Sequence, residues 1–279
     1  MKSKYSFYAV LFSLVLGIGI FQFVDVEKVS TRQVELTVNQ VLAKLTFAEE
    51  DFDRAYSRSY FKHWIDVDGD CQDTRQEVLK RDSLVATQGN CSITSGSWVS
   101  WVDGKKYTNP KSLDIDHLVP LSEAWDSGAS KWTSTQRRAF ANDLGYKWAL
   151  RAITLSVNRS KSDSDIAEWL PQESIQCAYV QRWMAVKYRW RLTVDSAEKI
   201  AIKEILNGNC GSKSMTLPSR ISGLLNQTPI DESPATTAIT RKVYPGAYCS
   251  TKGATGTASN GYTYTCKTSS TDDRLRWRR

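Results

Sequence analysis

The sequence predicts an exported α+β protein, and three observations carry that prediction. Strand-like runs at 113–121 and 148–157 are set among helical patterns. Six cysteines follow an apolar N-terminal leader. A stretch rich in Ser, Thr and Pro divides a dense body from a small C-terminal module. With 279 residues, 41% of them hydrophobic and 10 Trp, the composition excludes a disordered chain and leaves room for one good-sized domain with appendages.

Residues 1–24 place Lys2 and Lys4 before a run without charge from Tyr5 to Val24, an export segment read either as a signal peptide or as an N-terminal membrane anchor. The run is close to the roughly 20 residues a spanning helix needs, and no clear small-x-small cleavage site follows it. Residues 25–46 are polar and weakly patterned and read as a tether, and the dense domain is expected over 47–210. Residues 211–240 read as a linker, and 241–279 as a module closed by one disulfide. Pairing nearest neighbours in sequence gives Cys71–Cys91, Cys177–Cys210 and Cys249–Cys266, the simplest connectivity open to six cysteines. Zinc is not expected, given the two-histidine count and the lack of knuckle spacing.

Within the dense domain, TRQEVLKRDSLV is helical, with Val78, Leu79 and Leu84 on one face. SLDIDHLVPL is a strand ending at Pro120. STQRRAFANDLG is a helix closed by Gly145, and WALRAITLSV is the second strand. NRSKSDSDIAEWLP is a turn entering a short helix. ESIQCAYVQRWMAVKYRW and DSAEKIAIKEILNGNC are two longer helices, the second with Asp195 and Glu198 at capping-box spacing. The tryptophans read mainly as core. DVDGDCQDTRQE places Asp66, Asp68, Asp70 and Glu77 at calcium-loop spacing, but Cys71 stands where the sharp turn asks for Gly, so the segment reads as an acidic loop.

Charge inside a strand needs a reason, because buried charges are paired or bind metal. Asp114, Asp116 and His117 on the first strand, with Asn158 at the turn after the second, offer hard oxygen ligands for Mg²⁺, or Mn²⁺ in its place, beside a histidine able to take a proton near neutral pH. Arg159 and Lys161 follow at once and are expected to hold a phosphate backbone. Strict alternation puts His117 on the face opposite Asp114 and Asp116, so a shared site needs a twisted or bulged strand. The net charge of +7 suits a polyanion partner, although Arg274, Arg276, Arg278 and Arg279 supply much of it at the C-terminus. No feature of the sequence calls for an obligate protein partner.

DIDHLVPLSEAW, RRAFANDL and NRSKSD…EWLP together resemble the secreted HNH nucleases of the DUF1524-like group, members of the ββα-metal class, over about residues 56–210. The resemblance implies a ββα-metal core with added helices, one divalent cation, and phosphodiester hydrolysis of nucleic acid, DNA ahead of RNA. It makes Asp116 and Asn158 the metal ligands and His117 the general base, and it puts Arg75 near the cleft as a substrate clamp. Ala149 stands where relatives often carry the asparagine that orients the histidine. A backbone carbonyl at that place could serve instead, because that orientation needs only an acceptor. The alternative expectation is an HNH scaffold with little or no turnover that binds extracellular nucleic acid or a cell-wall polyanion.

Overall fold

The computed structural model describes residues 35–51, 54–221, 223, 243, 252–258, 261–269 and 272–279. The apolar segment 1–24, the first ten residues of the expected tether and Cys249 lie outside the described residues. In chain order the elements are β1 (Glu35–Thr37), α1 (Val38–Leu42), β2 (Thr46–Phe47), α2 (Thr74–Asp82), β3 (Trp98–Val99), β4 (Lys106–Tyr107), β5 (Leu113–His117) and α3 (Leu121–Asp126). There follow α4 (Ser134–Ala141), β6 (Leu150–Thr154), α5 (Leu155–Lys161), α6 (Glu173–Trp190), β7 (Thr193–Val194), α7 (Ser196–Ile205) and β8 (Ser214–Thr216). The C-terminal strands are β9 (Thr255–Thr257), β10 (Thr263–Ser269) and β11 (Asp272–Arg278). The architecture is a mixture of α and β, and the disulfides Cys71–Cys91 and Cys177–Cys210 form as the spacing predicts.

Local chemistry explains most boundaries. The Asp73 carboxylate accepts the Gln76 amide and starts α2. Thr133 with Gln136, and Asp195 with Glu198, form reciprocal capping boxes at α4 and α7. Arg191, in the left-handed region, ends α6. Cys177 and Cys210 join the N-terminal part of α6 to the helical turn after α7.

Two hydrophobic clusters organise the body. The larger packs Val38 and Val41 of α1 with Phe140 of α4, Tyr179, Trp183 and Trp190 of α6 and Ile202 of α7. The smaller packs Val78 and Leu79 of α2 with Trp98 against Leu113, Ile115, Leu150 and Ala152. Those last four share one face of the antiparallel pair β5–β6, whose register runs without a shift from Leu113↔Thr154 to His117↔Leu150.

Four sequence expectations change. The tether is structural from residue 35 onward: β1 pairs with β8, and Val38, Val41, Leu42 and Leu45 are buried. The linker likewise begins later than 211, because β8 closes on β1, and Leu217 and Ile221 pack on the larger cluster. The second strand ends at Thr154 and the chain turns straight into α5, so Asn158 sits inside a helix rather than at its cap. Ser162, in the left-handed region, then ends α5, and 163–170 is a series of turns held by the Asp165 carboxylate on the Ala167 and Glu168 amides, not a helix.

In the C-terminal module β9, β10 and β11 form one antiparallel sheet. Trp277 is buried there with Tyr264 and Cys266, so the tail presents its aromatic to the module's own core. Cys266 is disulfide-bonded, and its expected partner Cys249 lies outside the described residues.

Candidate active site

Strand β5 carries the cluster, and its two faces divide it. Asp114 and Asp116 point to one side, where α5 meets them through Asn158 and Lys161. His117 shares the other face with Leu113 and Ile115 of its own strand and with Leu150 and Ala152 of β6. The register shows no bulge, so the strand does not bring the ring and the carboxylates to one face, and the two groups flank its C-terminal end.

His117 is buried, and its Nε2 lies 2.9 Å from the Ala141 carbonyl oxygen. A carbonyl can only accept, so Nε2 carries the proton and Nδ1 is left as the basic nitrogen. Ala141 is the last residue of α4, where helical carbonyls lack intrahelical partners, which is why an acceptor is on offer there. Burial pushes the ring's pKa down to about 3, against the Ala141 hydrogen bond, and the charges of Arg58, His63 and Lys161 lower it further. The Trp64 ring lies 5.5 Å from the imidazole, and the Trp64 backbone is in the left-handed region. The orienting acceptor is thus the Ala141 carbonyl of α4 and not the backbone carbonyl expected at Ala149, which accepts from the Leu118 amide.

On the other face, Asn158 Nδ2 donates to Asp114 Oδ2 at 3.2 Å. Lys161, also on α5, is fully buried and donates to Asp116 Oδ1 at 2.5 Å and to the His117 carbonyl at 2.7 Å. Burial lowers the Lys161 pKa and the Asp116 carboxylate opposes that shift. The structure therefore pairs Asn158 with Asp114, and it places Lys161 inside as a brace across Asp116 and His117, not at the surface as a phosphate contact. Asp114, Asp116 and Asn158 present carboxylate and amide oxygens, a donor set that fits a hard divalent cation, with one Asp116 oxygen engaged by Lys161.

The remaining expected residues are dispersed. Arg159 is exposed on α5. Arg75 Nη2 donates to the carbonyls of Pro110 and Leu113, so its guanidinium braces the entry to β5 rather than standing free as a substrate clamp. Asp66, Asp68 and Asp70 approach within 4.8 Å of one another on the surface, and Cys71 adopts the positive φ that glycine would supply. A second acidic group, Glu50, Glu123 and Asp165, meets inside the body within the same distance.

Sequence reasoning assigned no role to Arg58, Lys62, His63 and Trp64. Arg58, Lys62 and His63 line a groove of about 500 Å³ together with Ser59 and Phe61. The signal was present in YSRSYFKHW, where three cationic or titratable residues are interspersed with aromatics, but nothing in that spacing ties the segment to His117. Asn142 makes the tie: its Nδ2 donates to the Lys62 carbonyl and its Oδ1 accepts from the Ile65 amide and the Thr74 hydroxyl. Residues 141 and 142 thereby fix the imidazole and the groove from one helix end.

Residues 70–205 match the family model described as the C-terminal domain of GmrSD restriction endonucleases. An uncharacterized secreted protein of Arthroderma benhamiae is 44% identical over 173 residues, which cover 61% of this chain and 84% of that protein. No solved structure matches the chain.

Proposed function

The chain belongs to one family with that secreted fungal protein, and from this premise we propose that it is an extracytoplasmic, metal-dependent nuclease that hydrolyses phosphodiester bonds in DNA. The observation that carries the reading is the His117–Ala141 hydrogen bond, which puts the ring proton on Nε2 and leaves Nδ1 as the acceptor. The antiparallel pair β5–β6 followed directly by α5 supports a ββα-metal arrangement. The two disulfides support an oxidising destination. Among the described residues no helix is long and apolar enough to cross a membrane.

In this reading His117 Nδ1 takes a proton from water as the water oxygen bonds to phosphorus, and the Ala141 carbonyl holds the resulting imidazolium in place. The P–O bond to the leaving oxygen breaks, that oxygen takes a proton from solvent, and His117 returns its own proton to solvent. Lys161 keeps the end of β5 fixed by holding Asp116 and the His117 carbonyl together. Asp116 and Asn158, with Asp114 beside them, would hold Mg²⁺ or Mn²⁺ on the α5 side of β5. Only a phosphate lying across the C-terminal end of the strand would meet both the ring and the cation, which when bound supplies charge neutralisation there.

The test is incubation of purified protein with supercoiled plasmid in Mg²⁺, Mn²⁺ or EDTA. Nicking with either metal and none in EDTA is expected. Intact plasmid under every metal condition would contradict the proposal.

A further inference from the structure

The groove beside His117 holds cations that the fold does not use. Among the described residues, several cations near the body's core are committed to carboxylates. Lys161 is on Asp116, Lys187 on Glu123 and Glu198, Arg189 on Asp143, and Arg151 on Asp82. Arg58, by contrast, has a long 3.5 Å contact with His63 Nε2, and Lys62 is exposed. His63 Nδ1 lies 2.8 Å from the Phe61 carbonyl, so Nδ1 carries the proton and Nε2 faces Arg58 as an acceptor. No carboxylate forms an ion pair with Arg58, Lys62 or His63 among the described residues.

The groove is also built, not merely charged. Phe61 is buried and anchors the segment in the larger cluster, against Trp125 and Phe140. Asn142 ties the Lys62 carbonyl and the Ile65 amide to the end of α4. The His63 ring packs edge-on against Trp64, whose ring in turn meets His117. A rigid, uncompensated positive surface adjoining a buried base binds an anion at little cost in ordering.

We propose that Arg58, Lys62 and His63 form a seat for a backbone phosphate of the DNA strand, next to His117. This rests on the nuclease reading for its choice of anion. Arg58 offers a planar fork to phosphate oxygens and Lys62 a mobile point charge. His63 holds the Arg58 guanidinium toward the groove and acts as a positioning residue.

The experiment measures binding of a short fluorescein-labelled DNA duplex by anisotropy in EDTA, where cleavage does not intervene, across a salt series. It compares the full chain with Arg58→Gln/Lys62→Gln and with a charge-matched control, Lys203→Gln/Lys213→Gln, whose lysines are exposed elsewhere. The seat predicts that the first variant weakens binding and lowers the slope of log K against log salt by about 2, roughly 1 for each cation, while the control leaves the slope near wild type. Circular dichroism of each variant checks that it folds. Equal slopes for the two variants, or no binding by wild type, would overturn the seat. Plasmid nicking by wild type with an unchanged Arg58→Gln/Lys62→Gln slope overturns the seat alone. Loss of binding in that variant, with no nicking by wild type under any metal, supports the seat and removes the nuclease reading.

Discussion

His117 Nε2 and the carbonyl oxygen of Ala141 stand 2.9 Å apart, joining the last residue of β5 to the last residue of α4. The bond fixes both the ring plane and the tautomer. The chain has only two histidines, so ring-nitrogen NMR of histidine-labelled protein resolves each without overlap. His117 is expected as the Nε2–H tautomer at neutral pH, and a dominant Nδ1–H signal would remove the geometry on which its assignment as base depends.

Lys161 offers a second check. Its ammonium is buried on Asp116 and the His117 carbonyl, so Lys161→Met leaves a carboxylate inside the body without its cation. Breaking such a pair costs about 3 to 5 kcal/mol. Urea denaturation should show a loss of that order. A variant as stable as wild type would mean that Lys161 is not a structural brace.

The buried acids predict how stability depends on pH. Burial, reinforced by Glu123 and neighbouring carboxylates, pushes Glu50 up to about 10 and Asp165 up to about 9. Burial likewise pushes Asp126 up to about 8, with Glu123 and Asp51 adding to the shift and Lys187 opposing it. The folded state then keeps protons that the unfolded chain releases above about pH 4, so stability falls as pH rises from there through the folded values. The melting temperature is expected to drop between roughly pH 6 and pH 9, and Asp165→Asn should flatten that drop. A melting temperature that rises over this range would contradict the assignment.

The Cys177–Cys210 bond closes a loop with a sequence separation of 33 across α6 and α7. Replacing both cysteines with serine should cost roughly 3 to 4 kcal/mol by the chain-entropy relation. Chemical denaturation of the double variant measures it, and an unchanged midpoint would show that packing of the two helices alone holds this region.

What could be read from the sequence was whatever depends on local chemistry. The capping box of Asp195 and Glu198, the extent of α6 and both described disulfides follow from nearby residues. What could not be read depends on distant partners. Residues 35–45 carry apolar Leu36, Val38, Val41, Leu42 and Leu45, but the run is too short to mark an element apart from the polar stretch before it, and only β8 and the larger cluster give them a place. Lys161 resembles a surface cation until Asp116, 45 positions away, is seen to bury it. The acceptor for His117 is the carbonyl of Ala141 rather than that of Ala149, a choice that no side-chain pattern can announce.

Whether His117 is the base of a metal-dependent nuclease is tested most directly by the rate of plasmid cleavage by His117→Ala against wild type at saturating Mg²⁺. The variant should be slower by about 10² to 10⁴-fold, as loss of a general base requires, with its fold intact by circular dichroism. Cleavage by a folded His117→Ala within a fewfold of the wild-type rate would contradict that role.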